Sequence, residues 1–239
     1  MLLLVQVSND VSVLSEFLAA GLQRKAWVLA VVMTLAGCAT NVDPEYKRLP
    51  DRVELNSVPF FRGDEYQSAP GALAGMLAAR SVQITPGLVE KPLKLPGGEA
   101  KLDQSMPNLA REYGFVVYPL DDSLPALLAQ VSAGFPVMVR FSEGSVWWKT
   151  PRYGILIGFN QRKRTVVLHA GQNRRMLMSF DEFTSAWSSA GSWAILIQGP
   201  RQVPAAVDRE RWLKAANELA QAGQEQAAGE AVKALNSAR

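Results

Sequence analysis

The 239-residue chain holds one cysteine, Cys38, and one histidine, His169. A domain built from it must close on an apolar core alone. There is no disulfide to constrain the unfolded chain and no cysteine–histidine set for structural zinc. Beyond position 38 the count also excludes a thiol nucleophile, and neither a metal nor another cofactor is expected. Hydrophobic residues are 48% of the chain and charged residues 20%, which is enough apolar side chain for a core of ordinary size. A net charge of +3 is too small to point to nucleic acid.

Periodicity and punctuation predict helices first and an antiparallel sheet afterwards, an α+β arrangement. Asn41 to Pro50 reads as a polar tether, and the globular part is expected from Val53. Val58-Pro59-Phe60-Phe61 is extended, as the proline dictates. Pro70 to Arg80 is rich in Ala and Leu and predicts a helix; Ser68 is placed to cap it. Residues 84–101, with their Pro, Gly and Lys, read as loop. A short helix is expected over Leu102–Tyr113, ended by Gly114, then a strand over Phe115–Pro119. Ser123–Val131 predicts a helix with Ser123 as cap and Pro125 in its first turn. Four strands follow: Pro136–Phe141, Tyr153–Phe159, Thr165–His169 and Trp193–Gln198. The polar Asn160–Arg164 makes the middle two a hairpin. Between the last two strands, Ser179 and Glu182 form a capping-box pattern. Phe180, Phe183 and Trp187 then share one helix face. Trp212 to Leu235 is Ala-rich with helical spacing and breaks at Gly223.

At the other end, Arg24 and Lys25 precede the apolar run Ala26–Leu35 and then Leu35-Ala36-Gly37-Cys38. A positive cluster, a short apolar stretch and small residues before a cut make a secretory signal. The run is shorter than the ~20 residues that span a bilayer. Leu-Ala-Gly-Cys resembles the bacterial lipobox, in which the cysteine is acylated and becomes the new N-terminus. The resemblance implies a lipid on Cys38. With Ala39 in the next position, it implies sorting to the outer membrane, facing the periplasm. Asp10 and Glu16 fit a signal poorly, so the first 23 residues read as an over-long start.

Several segments together resemble the C39-like cysteine peptidases, papain-like enzymes of the bacteriocin-processing, double-glycine type: VPFFRGDEYQSAPGALAGML, KTPRYGILIGFN, VVLHAGQNRR and FTSAWSSAGSWAILI. The likeness runs from about Val53 to Pro200. It implies a papain-like fold of N-terminal helices packed on an antiparallel sheet. In that family a cysteine opens the central helix, a histidine is the base, and a third polar residue orients it. Here Ser68 falls at the cysteine position, Arg152 at the histidine position, and His169 near the third. The family's oxyanion glutamine falls near Arg62, Gly63 or Asp64. Arginine cannot act as a base, since its pKa exceeds about 12, so the resemblance implies a pseudopeptidase. Two alternatives stand beside it: an active hydrolase in which His169 activates Ser68, and a purely structural envelope lipoprotein. His169 also reads as a strand-end residue donating to a backbone carbonyl. Arg152 reads either as an anion fork or as half of a surface ion pair.

Gln67, Trp147 and Trp148 are cleft candidates. Residues 205–239 resemble one tetratricopeptide helix pair, which cannot bury its own apolar faces. The pair is expected to contact another protein or, alternatively, to cap its own domain. The expected organisation is thus a signal at 1–37, a tether at 38–52, a C39-like domain at 53–200 and the helix pair at 205–239. The partners expected are a membrane, through Cys38, and a peptide or protein.

Overall fold

The computed structural model describes residues 46–63, 68–144 and 149–238. The signal segment, Cys38, Asp64, Gln67, Trp147 and Trp148 lie outside the described residues. Within them the helices are α1 (Ser68–Ala78), α2 (Pro86–Glu90), α3 (Leu102–Glu112), α4 (Leu124–Ser132), α5 (Phe180–Ser189), α6 (Arg209–Gln221) and α7 (Glu225–Ser237). The strands are β1 (Arg52–Glu54), β2 (Val116–Pro119), β3 (Val137–Gly144), β4 (Lys149–Asn160), β5 (Thr165–Ala170), β6 (Asn173–Ser179) and β7 (Ala194–Gln198). They form one antiparallel sheet in the order β2-β7-β3-β4-β5-β6, with β1 added beside β4. The fold is α+β.

Both faces of the sheet are covered, and strand alternation divides the apolar residues between them. Val117, Met138, Tyr153, Ile155, Val167, Ile195 and Ile197 pack with α1, α2 and α3. Val116, Val139, Phe141, Leu156, Val166, Leu168 and Leu196 pack with α4, α5, α6 and α7. An irregularity between Leu156 and Gly158 breaks the alternation in β4. Ile157 therefore faces α1 while Phe159, two residues on, faces the opposite core. The same break lets one edge of β4 serve two partners, β3 as far as Leu156 and β1 from Gly158 onward. Gly158 is required there, because a Cβ would lie 2.6 Å from the Val53 carbonyl oxygen.

Helix α1 is buried almost throughout, which explains its lack of a polar face. Gly75 lets it lie against β4: a Cβ there would come within 2.7 Å of Ile155 Cδ1. Gly71 likewise leaves room for the Phe61 carbonyl. Helix α5 opens with the expected capping box. Ser179 Oγ accepts from the Glu182 amide at 3.1 Å, and the Glu182 carboxylate accepts from the Ser179 amide at 2.8 Å. Ser123 occupies the cap position of α4 but makes no side-chain cap bond.

Residues 84–101 are not all loop: Pro86–Glu90 is helix α2, with Pro86 in its first turn. Three further expectations need correction. First, packing begins before Val53: Tyr46 stacks on Phe180, and Leu49 rests on the same core. Residues 46–52 are thus part of the folded body and not of a tether. Second, Asn173–Ser179, where the sequence pattern predicts no strand, is an edge strand. Third, α6 and α7 form no separate module. Trp212, Ala216, Leu219, Ala231 and Leu235 are buried in the core they share with β2, β3 and α4. Trp212 donates to the Ala231 carbonyl at 2.9 Å, and Tyr118 OH accepts from the Asp208 amide at 3.0 Å. Of the two readings of the pair, this packing is the one in which it caps its own domain.

Strand β1 carries an ion-pair cluster that sets a pH limit. Arg175 holds Glu54 through two contacts, of 2.5 and 2.9 Å, and Arg52 adds a third at 3.1 Å. The hydrogen bond from Arg175 does most to hold the Glu54 carboxyl at about 2, against an ordinary 4.5. A depressed carboxylate stabilises the fold above its unfolded value, and the gain is lost as pH falls through the folded one. Stability should therefore drop between about pH 4.5 and 2, and less steeply in Glu54→Gln. Urea midpoints measured across that range for both proteins check this; parallel curves would contradict it.

Candidate active site

Ser68 begins α1, is 7% exposed and faces the start of β4. The backbone amide of Tyr153 approaches its Oγ at 3.5 Å. The Tyr153 side chain runs on to donate its hydroxyl to Asp103 at 2.7 Å, and Asp103 also pairs with Arg140. Arg140 in turn donates to the Ala190 carbonyl at 2.9 Å. Burial pushes the Tyr153 phenol well up, with the Asp103 carboxylate adding to the effect, so the phenol remains a donor. Trp193 meets the Tyr153 ring edge-on at 5.6 Å. This buttress under the Ser68 amide contact was not legible in sequence, because Arg140 and Tyr153 lie 37 and 50 positions from Asp103.

His169 projects from β5 onto the same sheet face as Val167, toward α1. It lines a cavity with Ser68, Phe61, Gly71, Tyr153 and Ile155. The cavity holds about 10 Å³, room for about one water. Both ring nitrogens of His169 are turned to backbone oxygens: Nε2 to the Val58 carbonyl at 3.1 Å, and Nδ1 to the Arg174 carbonyl. A carbonyl only accepts, so both contacts call on N–H donors, and a neutral imidazole has one. Phe60 lies against the ring at 5.3 Å. The arrangement staples the segment leading into α1 to the β5–β6 turn, where the Gly63 amide also donates to the Gly171 carbonyl at 3.2 Å. The carbonyl-donating reading of His169 describes its geometry. A general base would need a lone pair aimed at Ser68, and the two contacts turn both ring nitrogens elsewhere.

Arg152 pairs in register with Phe141 on β3, one residue before Tyr153 and so on the alternate side of the strand. Its Nε lies 2.9 Å from a Glu143 carboxylate oxygen. It lines a neighbouring hollow of about 240 Å³ with Glu143, Gln172, Asn173 and Met176. The two hollows share Gly63, Ala170 and Gly171. The guanidinium is a fixed cation and cannot take a proton from serine. Arg62 is exposed and Gly63 buried; neither offers a side-chain amide for an oxyanion. Among the described residues, no group of three or more His, Cys, Asp or Glu is placed to hold a metal ion.

No family model matches the chain, and no curated protein matches it. Among the solved structures similar to it are the following three. A C39-like peptidase from Bacillus anthracis is 16% identical with a TM-score of 0.49, over 62% of this chain and 98% of that one. The peptidase domain of ComA, a bifunctional ABC transporter from Streptococcus, is 14% identical with a TM-score of 0.43, over 58% and 96%. Xylellain, a cysteine protease from Xylella fastidiosa, is 10% identical with a TM-score of 0.44, over 66% and 90%.

Proposed function

We propose that this chain is a lipid-anchored, non-catalytic relative of the C39-like peptidases. In this reading it faces the periplasm and holds a peptide or protein segment in a cleft that has lost its chemistry. One observation carries the reading: the chain's one histidine does not aim a ring nitrogen at Ser68. His169 is turned to the carbonyls of Val58 and Arg174, and Arg152 is a guanidinium beside Glu143. Without a base the serine hydroxyl forgoes the ~10²–10⁴-fold that general-base catalysis contributes, and it lacks the intrinsic nucleophilicity of a thiolate. The sequence motifs support the family placement. Ser68 at the start of a buried helix, against the Tyr-Gly-Ile-Leu-Ile strand, is where the family's nucleophile is expected. The polar hollow of Arg152, Glu143, Gln172 and Asn173 offers both donors and acceptors to a peptide backbone.

The rival reading, a hydrolase using Ser68 with His169, draws on the cavity they share. A broad peptide library offered to the purified chain and to Ser68→Ala separates the two. We expect no cleavage by either protein. Cleavage by the parent that disappears in Ser68→Ala would sink the pseudopeptidase reading.

A further inference from the structure

We infer that the chain makes a second, electrostatic contact with an anionic phospholipid surface, through the basic end of the fold where the polypeptide enters at Tyr46. The inference rests on the reading of Cys38 as a lipid anchor for its orientation, and on the following geometry for its chemistry.

The entry segment and the β4–β5 turn are joined into one surface. The Gln161 side chain donates to the Leu49 and Pro50 carbonyls at 2.8 and 2.9 Å, and the Gln161 amide donates to Asp51 O at 2.8 Å. Tyr46 stacks on Phe180, over whose ring Arg164 also lies at 5.4 Å. This brings Arg48, Arg52, Arg162, Lys163 and Arg164 to one end of the fold, all of them exposed. The acids among them are few. Asp51 pairs with Arg162, Asp181 pairs with Arg164, and Glu54 is folded between Arg52 and Arg175. Arg48 and the Lys163 ammonium have no acidic partner among the described residues. Glu182 stands beside Asp181 in the first turn of α5, so with Arg175 the described groups at this end are six basic against four acidic, a net cationic surface.

Its position gives the charge a use. Tyr46 lies eight positions after Cys38, a reach of roughly 28 Å when fully extended. A lipid on Cys38 would hold this end of the fold, and no other, near the headgroups. The lipid would supply the anchoring, and a basic patch would add an electrostatic contact that sets how the body lies against the surface. Each Lys or Arg held near an anionic surface contributes on the order of 1 kcal/mol.

The test uses the full chain carrying Cys38→Ser, so that no lipid contributes. It is titrated with phosphatidylcholine vesicles, with and without about 30% phosphatidylglycerol, and compared with the same chain bearing Arg162→Gln and Lys163→Gln. We expect tighter partition onto the anionic vesicles. The double change should weaken it by roughly 30-fold, and about 0.5 M salt should erase the difference between the two proteins. Equal partition of both proteins onto anionic vesicles would overturn the inference, as would indifference of the parent to anionic lipid. The mass of Cys38 in chain recovered from envelopes reports separately on the anchor. An unmodified thiol would sink the lipid reading, whereas an acylated Cys38 with no vesicle difference would sink the patch alone.

Discussion

Deleting residues 205–239 should unfold the domain. The C-terminal pair supplies Trp212, Ala216, Leu219, Ala231 and Leu235 to one of the two cores, and its loss would strip cover from β2 and α4. The substitution Trp212→Ala alone should cost about 3–5 kcal/mol, the usual range for truncating a fully buried tryptophan. That is a large share of the ~5–15 kcal/mol a domain typically has. Part of the loss is packing: Trp212 is 0% exposed and meets Tyr118 at 6.0 Å. Part is polar, because the Ala231 carbonyl loses its indole donor. Urea unfolding followed by circular dichroism measures both variants. A truncated chain that still unfolds cooperatively at the parent's midpoint would show that the pair is an appendage after all.

Replacing His169 with Phe should destabilise the fold by about 2–4 kcal/mol. The ring would keep its volume, but the buried Val58 carbonyl and the Arg174 carbonyl would both face a ring with no N–H to donate. Leaving a buried acceptor unpaired costs about 1–3 kcal/mol. His169→Gln, which still offers an amide donor, should fall between the parent and His169→Phe. The order of the three urea midpoints is the readout. Equal midpoints for parent and His169→Phe would mean that the two carbonyl contacts hold nothing together, which would reopen a chemical role for the ring.

Much of the fold was legible because periodicity and punctuation agreed. Ser179 with Glu182, and Phe180 with Phe183 and Trp187, specify α5 on their own. The Val/Ile/Leu-rich runs ending at Phe159 and Gln198 specify buried strands. Strand β6 escaped notice because it opens Asn173-Arg174-Arg175, and an edge strand needs no apolar outer face. Strand β1 is three residues long and exists only because β4 breaks register beside it. The candidate site divided in the same way. Ser68 and Arg152 could be placed by motif. The orientation of His169 depends on Val58, 111 residues away, and no local pattern encodes such a contact. Two readings of the C-terminal pair stood open for the same reason: its apolar stripe calls for a cover, and only tertiary packing shows whether the cover is the chain itself.

The doubling of partners along β4 also has a mechanical meaning. Tension applied to the chain ahead of Tyr46 reaches the sheet through the Gln161 side chain, the Gln161 amide on Asp51 and the Leu55 amide on Ile157. Each of these bonds ends on or directly after β4, a strand in the middle of the sheet. A pull from that side is therefore taken up by an interior member of the fold and spread to β3 and β5 together. Helix α5 shares the load through the stack of Tyr46 on Phe180.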